Sequence, residues 1–490
     1  MSIPFPHPLY AKHVLGPGFS FAQAELWPWM LAANEAHVLM LADRGIIPGS
    51  EVAALLDAQA AVESEGRDAF VYDPKVEDLF FLVERRLIEL AGPVAGGNLQ
   101  IARSRNDLAA TMARLLIRDR LLGIEELVIT LRERVIALAE QFIDVVIPGI
   151  THTQPAQPTT LAHYLLGVLG PLERDSERLA QARARVNRSP LGAAAFTTTG
   201  FPIDRELTAE LLGFDGVVEN GYDAVGAGDH FLESSQVVAT LSASLGRFVN
   251  DLLIWARQEA GVFRVGTEFV QISSIMPQKR NPVVLEHIRT RIGWVYGHAN
   301  AIATLVHGAA FGDTNDVDDP IFVPTAGLFE AATAVLELLE ATLASGEFNT
   351  SRLTAAAGDG FTTATALADG LVISFGLPFR TAHHIVSTSV SIATREGAAS
   401  LTLPIVREAI ERVTESELDI DQAWLDAQLD PAAFVAARKT RGGPARSAME
   451  PALADARRKT NEDAAEIERA KERIATAAAN RRTRLAALPR

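Results

Sequence analysis

Ser273-Ser274-Ile275-Met276-Pro277-Gln278-Lys279-Arg280-Asn281-Pro282 lies between long helical patterns and gathers hydroxyls, cations, carboxamides and two prolines. It reads as a polar loop that ends at a helix start, with Pro282 at the first helical position, where a missing N–H costs nothing. Such a segment is poor core material. Hydroxyl, ammonium and carboxamide donors this close together can hold and polarise an anion, and the positive end of the following helix dipole adds to them. On composition alone, such a loop is more often a solvated connection than a site.

The wording is more specific than the composition. SSIMPQKRNP closely resembles the signature of the fumarase, aspartase and argininosuccinate lyase superfamily, whose members share a serine-serine-x-methionine-proline-x-lysine-x-asparagine loop. The resemblance implies an all-α fold of three helical domains. It also implies a homotetramer around a twenty-helix core, with five long helices from each chain.

The chain has 490 residues, 48% of them hydrophobic, enough for a large core and two or three domains. Aromatic residues make up only 7%, and Ala and Leu dominate, which favours helices over sheets. The absence of cysteine excludes disulfides, thiolate metal sites and cysteine nucleophiles. The opening MSIPFPHPLYAKHVLG lacks the regions of a secretory signal, and no run of about 18 apolar residues stands out, so a cytoplasmic protein is expected. A net charge of −16 argues against a nucleic-acid surface, so carboxylate substrates would need local cations such as those of the serine loop.

Residues 1–108 mix short helical patterns with turn signals and read as an N-terminal helical domain, with helices ending near Gly45 and Gly92. Residues 109–358 carry the long-helix pattern. One helix is expected from 108 to about 147, a second from about 229 and a third after Pro282, each with apolar residues three or four apart. Helices of about 30 residues span on the order of 45 Å, longer than one compact core requires, and so call for partner chains. Residues 359–490 read as a C-terminal helical domain. Its GLPFRTAH segment is family-like, and a charged, alanine-rich tail from 451 is expected to be a solvated helix.

Three further stretches carry the resemblance. Arg103-Ser104-Arg105-Asn106-Asp107 matches an argininosuccinate lyase motif, which implies that Ser104, Arg105 and Asn106 bind substrate carboxylates; a guanidinium suits that task because it grips a carboxylate with two parallel bonds. Thr151-His152-Thr153-Gln154-Pro155-Ala156-Gln157-Pro158 is similar to the family's threonine-histidine-x-glutamine segment and brings in Thr151, His152 and Gln157. By the same resemblance Ser273 is the catalytic base, Lys279 and Asn281 stabilise charge beside Ser274, and Glu286 orients His152. No metal or organic cofactor is implied. Each site would be assembled from three subunits.

The amine side departs from the pattern. Where argininosuccinate lyases carry tyrosine, glutamine and lysine for the arginine portion, this chain has Asp313, Asp318 and Ile321, and the histidine-threonine-glycine before the RSRND motif is Gln100-Ile101-Ala102. The sequence therefore points to a carbon–nitrogen lyase that releases fumarate from an N-substituted aspartate, comparable to relatives that cleave ethylenediamine disuccinate. A genuine argininosuccinate lyase of arginine biosynthesis is the alternative, followed by a silent, crystallin-like structural protein. Neither a phosphate loop nor a His-Glu-x2-His zinc pair is present.

Overall fold

The computed structural model describes residues 5–415 and 417–488. The first long segment forms α1 (Trp27–Asp43), α2 (Gly49–Glu65) and α3 (Leu79–Ala91). Local chemistry sets the bounds of α3. The Asp78 carboxylate accepts the Phe81 amide at 2.9 Å as N-cap, Leu79, Leu82, Val83 and Leu87 face the core, and Gly92 stops the helix at φ 84°.

Next comes α4 (Arg105–Gln141), whose 37 residues span about 55 Å. A hairpin of β1 (Val146–Thr151) and β2 (Gln154–Thr160) follows, then α5 (Leu161–Val186) and α6 (Asp229–Trp255). Short strands β3 (Phe263–Arg264), β4 (Gln271–Ile272) and β5 (Arg280–Asn281) precede α7 (Val283–Gly308) and α8 (Asp319–Ser345), and β6 (Glu347–Phe348) pairs antiparallel with β3. The fold is all-α apart from these small two-stranded pairs.

Cross-helix pairs fix the directions of the five rods. Arg183 of α5 meets Glu125 of α4, while Arg132 of α4 meets Ser176 of α5, so these helices are antiparallel. Arg134 of α4 pairs with Glu340 near the end of α8, so α4 and α8 run the same way. Helices α6 and α7 complete the alternation, with Tyr164 of α5 donating to Asp251 of α6 at 2.6 Å. One end of the bundle therefore holds the starts of α4, α6 and α8. The other holds the hairpin and the start of α7.

Apolar residues of the first hundred positions and of the five rods form one continuous core. A separate core, including Leu367, Leu371, Ile385, Ile405 and Leu425, holds α9 (Ala364–Phe375), α10 (Phe379–Glu396), α11 (Leu403–Thr414) and α12 (Gln422–Leu429) together. The last helix, α13 (Arg446–Ala487), leaves that body and returns along α4.

Several expectations need correction. The helix expected over 108–147 starts at Arg105, where Ser104 caps it, and stops at Gln141, because the stretch that follows is a β-strand with two prolines opposite each other at Pro148 and Pro158. Pro282 is the N-cap rather than the first helical residue. Two rods, α5 and α8, were not singled out because Pro171 and Pro324 interrupt their patterns, yet both helices run through these prolines. The charged tail is not merely solvated: Leu453, Ala456, Ile467 and Ala470 are buried. Finally, α6 and residues 315–345 are long and apolar enough to cross a membrane by length and composition; both lie in the bundle, where their apolar faces meet α7.

Candidate active site

The carboxylate-binding motif sits at the start of α4. The Ser104 hydroxyl accepts the Asn106 amide at 3.3 Å and donates to the Asn106 side chain at 3.0 Å. Asp107 returns one oxygen to the Ser104 amide at 2.9 Å, completing a capping box. Arg105 projects outward, its Nη1 2.8 Å from Asp78 and 3.4 Å from Glu77, with its guanidinium 4.7 Å above the Phe81 ring.

Asp107 was missed as a key residue, although the capping signature points to it. It is fully buried, and its second oxygen accepts the Gly192 and Ala194 amides at 2.8 and 3.0 Å. Burial raises its pKa to about 6 against the pull of these three amides and Arg103. One carboxylate thus ties the helix start to a loop 85 residues onward. Asp107→Asn puts an NH2 group among N–H donors and is expected to destabilise the fold by about 2–3 kcal/mol; thermal melting would show it.

Asp313, Asp318 and Asp319 gather at the same end, at the start of α8. The Asp318 carboxyl is pushed up to about 7, first by desolvation and then by Asp319 and Asp313, with Arg105 opposing. Desolvation also raises Asp313 and Asp319, again against Arg105. With Glu77 and Asp78, an acidic wall surrounds one arginine. Sequence reading found Asp313 and Asp318 but not Glu77 or Asp78, which precede α3 and meet Arg105 only through the fold. Ala102, where the family motif has glycine, holds φ 61°, a conformation that costs a non-glycine residue on the order of 1 kcal/mol.

The other motifs occupy the far end. In the β1–β2 hairpin Thr151 pairs with Gln154, which leaves His152 and Thr153 as a two-residue turn with φ 52° and 63°. Both central residues at positive φ define a type I′ turn and set His152 at an exposed tip. A bulge at Gly149 brings this backbone so close to the Gln157 carbonyl that a Cβ there would lie 2.8 Å from it. Gln157 donates to Thr365 of α9 at 2.9 Å, docking the hairpin on the C-terminal helices.

The serine stretch is itself a hairpin loop, because Gln271 pairs with Asn281 and Ile272 with Arg280. The Ser273 hydroxyl accepts the Met276 amide at 3.1 Å. Ser274 and Lys279 are exposed, Asn281 is half-buried, and Ile275 is 83% exposed. Glu286 lies in the first turn of α7, exposed to solvent. No hydrogen bond or ion pair joins His152 to Glu286 or Ser273 within the described residues of one chain.

Within one chain, then, Ser104, Arg105, Asn106, Asp313 and Asp318 share one end of the bundle. Thr151, His152, Gln157, Ser273, Ser274, Lys279, Asn281 and Glu286 share the other. The length of α4 stands between the two groups.

A long-helix bundle with a serine loop before one rod, a threonine-histidine hairpin and a serine-arginine-asparagine cap defines a lyase of the fumarase/aspartase type. Residues 21–297 match the lyase family model and residues 361–436 the argininosuccinate lyase C-terminal model. The chain is 40% identical over 429 residues to an argininosuccinate lyase of Halobacterium salinarum, covering 87% of this chain and 86% of that protein. Among solved structures, EDDS lyase in complex with formate superposes with a TM-score of 0.87 at 29% identity, covering 99% of this chain and 96% of that one. An EDDS lyase variant with bound fumarate superposes at 0.85, again at 29% identity, covering 98% and 96%. The chain belongs to the argininosuccinate lyase family of the fumarase/aspartase superfamily, and it is a carbon–nitrogen lyase.

Proposed function

We propose that the protein cleaves an N-substituted aspartate to fumarate and a cationic amine, at sites built where the two ends of the bundle meet in a homotetramer. The observation that carries the amine assignment is the acidic wall of Asp313, Asp318 and Asp319 around Arg105. An arginine that holds a substrate carboxylate beside three acids suits a leaving group whose own charge is positive. Whole-length superposition on EDDS lyase, which takes in α13, supports a relative of that enzyme.

In this reading Ser273 removes the Cβ proton and the electron pair moves into the adjacent carboxylate, giving a doubly charged intermediate. Lys279 and Asn281 stabilise that charge, helped by Ser274, while Ser104, Arg105, Asn106, Thr151 and Gln157 hold the carboxylates. The Cα–N bond then breaks, and the nitrogen keeps its electron pair and takes a proton from His152, which Glu286 of a neighbouring subunit orients. Atoms and charge balance without a metal or organic cofactor. Exposed Ile275 and Met276 suit a loop that packs onto the substrate or another subunit in the closed state.

Asp318 supplies a pH test. A carboxyl whose pKa is raised on folding stabilises the ligand-free protein while protonated, and that contribution is lost as pH rises through about 7. A substrate cation reverses the balance. KM for a cationic N-substituted aspartate is therefore expected to fall as pH rises through about 7, and Asp318→Asn should flatten the profile. A KM profile that is the same in both proteins would remove Asp318 from the amine pocket.

The second reading, argininosuccinate lyase proper, draws on the 40% identity to the Halobacterium salinarum enzyme. Incubating the pure protein with argininosuccinate, ethylenediamine disuccinate and other N-substituted aspartates, with fumarate absorbance as readout, separates the two. Efficient turnover of argininosuccinate alone would reject the first reading. Fumarate release from none of them would reject both and favour a silent structural protein.

A further inference from the structure

The geometry points to a second ligand site, for a small dianion with an apolar body, in the cavity beneath the serine loop. This cavity, of about 450 Å³, lies between the end of α6, the β3–β6 pair and β5. Its size falls within the range of small-molecule sites rather than of a protein groove. Phe263 and Phe348, both buried, meet as a tilted pair with ring centroids 5.0 Å apart and supply an apolar wall.

Three guanidinium groups line the cavity, Arg257, Arg264 and Arg280, against one carboxylate, Glu347. None of the three forms an ion pair among the described residues, and the only side-chain partner of Arg280 is the Thr267 hydroxyl at 3.4 Å. Here three cations share one cavity with a single carboxylate, beside an apolar wall. Planar forks in this arrangement suit carboxylates, and the aromatic pair suits a ring or branched carbon body. Arg105, which the proposed reaction uses for substrate carboxylates, lies at the opposite end of the bundle, so this is a different arginine set.

The site also reaches the loop. Arg280 stands between Lys279 and Asn281, whereas Arg257 lies just past the end of α6 and Arg264 belongs to β3. A dianion bridging them fastens β5 to the bundle and restrains the loop. This coupling rests on the reading of that loop as catalytic; the binding site itself does not. Occupancy is expected to lower kcat and leave KM in place.

Isophthalate serves as the probe. Calorimetry on the assembled enzyme, with fumarate at saturation to fill the catalytic pocket, should show one isophthalate bound per chain. R257Q/R264Q should bind it at least about tenfold more weakly, as expected for the loss of charge-assisted bonds, while eluting as wild type and turning over normally without isophthalate. No binding by wild type, displacement by fumarate, or equal affinity in the double variant would overturn the site. Altered elution of the variant would overturn it too, by making the arginines subunit contacts. If binding follows expectation but kcat does not respond, the site stands and the coupling to the loop falls.

Discussion

Ser273→Ala should lower fumarate release by roughly 10²- to 10⁴-fold, the range over which a positioned proton-transfer group acts, without disturbing the assembly. The side chain is half-buried in a loop, and its one described bond is the acceptance of the Met276 amide. Losing that bond costs about 1 kcal/mol at most, which a chain with this core absorbs. Circular dichroism, elution volume and melting temperature should match those of wild type while activity is lost. Undiminished rates in a folded variant would take Ser273 out of the reaction. A fall in kcat matched by a fall in KM would instead make it a residue that strains bound substrate.

Mixing two dead variants should restore activity. Arg105 and Ser273 sit at opposite ends of the bundle, about 50 Å apart along α4, so no chain can bring both to one substrate. An Arg105→Met chain and a Ser273→Ala chain, unfolded and refolded together, would form hybrids in which some sites draw an intact arginine from one chain and an intact serine from another. With equal mixing and sites built from different copies, roughly a quarter of the sites would be whole. Activity near that fraction is the expected result, against almost none from either variant refolded alone. Mixed protein as inactive as its parents would show that each site is confined to a single copy.

How far the residues announced this arrangement depends on how local the cause is. Ser104 as a cap, Gly45 and Gly92 as helix ends and the apolar spacing of α6 and α7 were legible because each follows from a few neighbouring residues. The β1–β2 hairpin was not. Its prolines and glycine read as a break, and only the pairing of Val146 with Thr160 across the chain turns the break into strands. The motifs themselves were recognised by wording, but their division between two ends is a property of rod direction. That direction is set by pairs such as Arg183–Glu125 and Arg134–Glu340, 58 and 206 residues apart, whose partners no local pattern identifies. Asp78 belongs to the same class: its cap of α3 is local, while its grip on Arg105 is tertiary.

Helix α13 bears on how a newly made chain matures. Arg132 of α4 is fully buried, and its carboxylate partner, Asp463 at 2.5 Å, comes from a helix translated after every rod of the bundle. Until that segment emerges from the ribosome, the guanidinium's one remaining hydrogen-bond partner among the described residues is the Ser176 hydroxyl, and the groove filled by Leu453, Ala456 and Ile467 stands open. Nascent polypeptide halted before α13 therefore displays an apolar trough and an uncompensated cation together, a surface suited to chaperone capture.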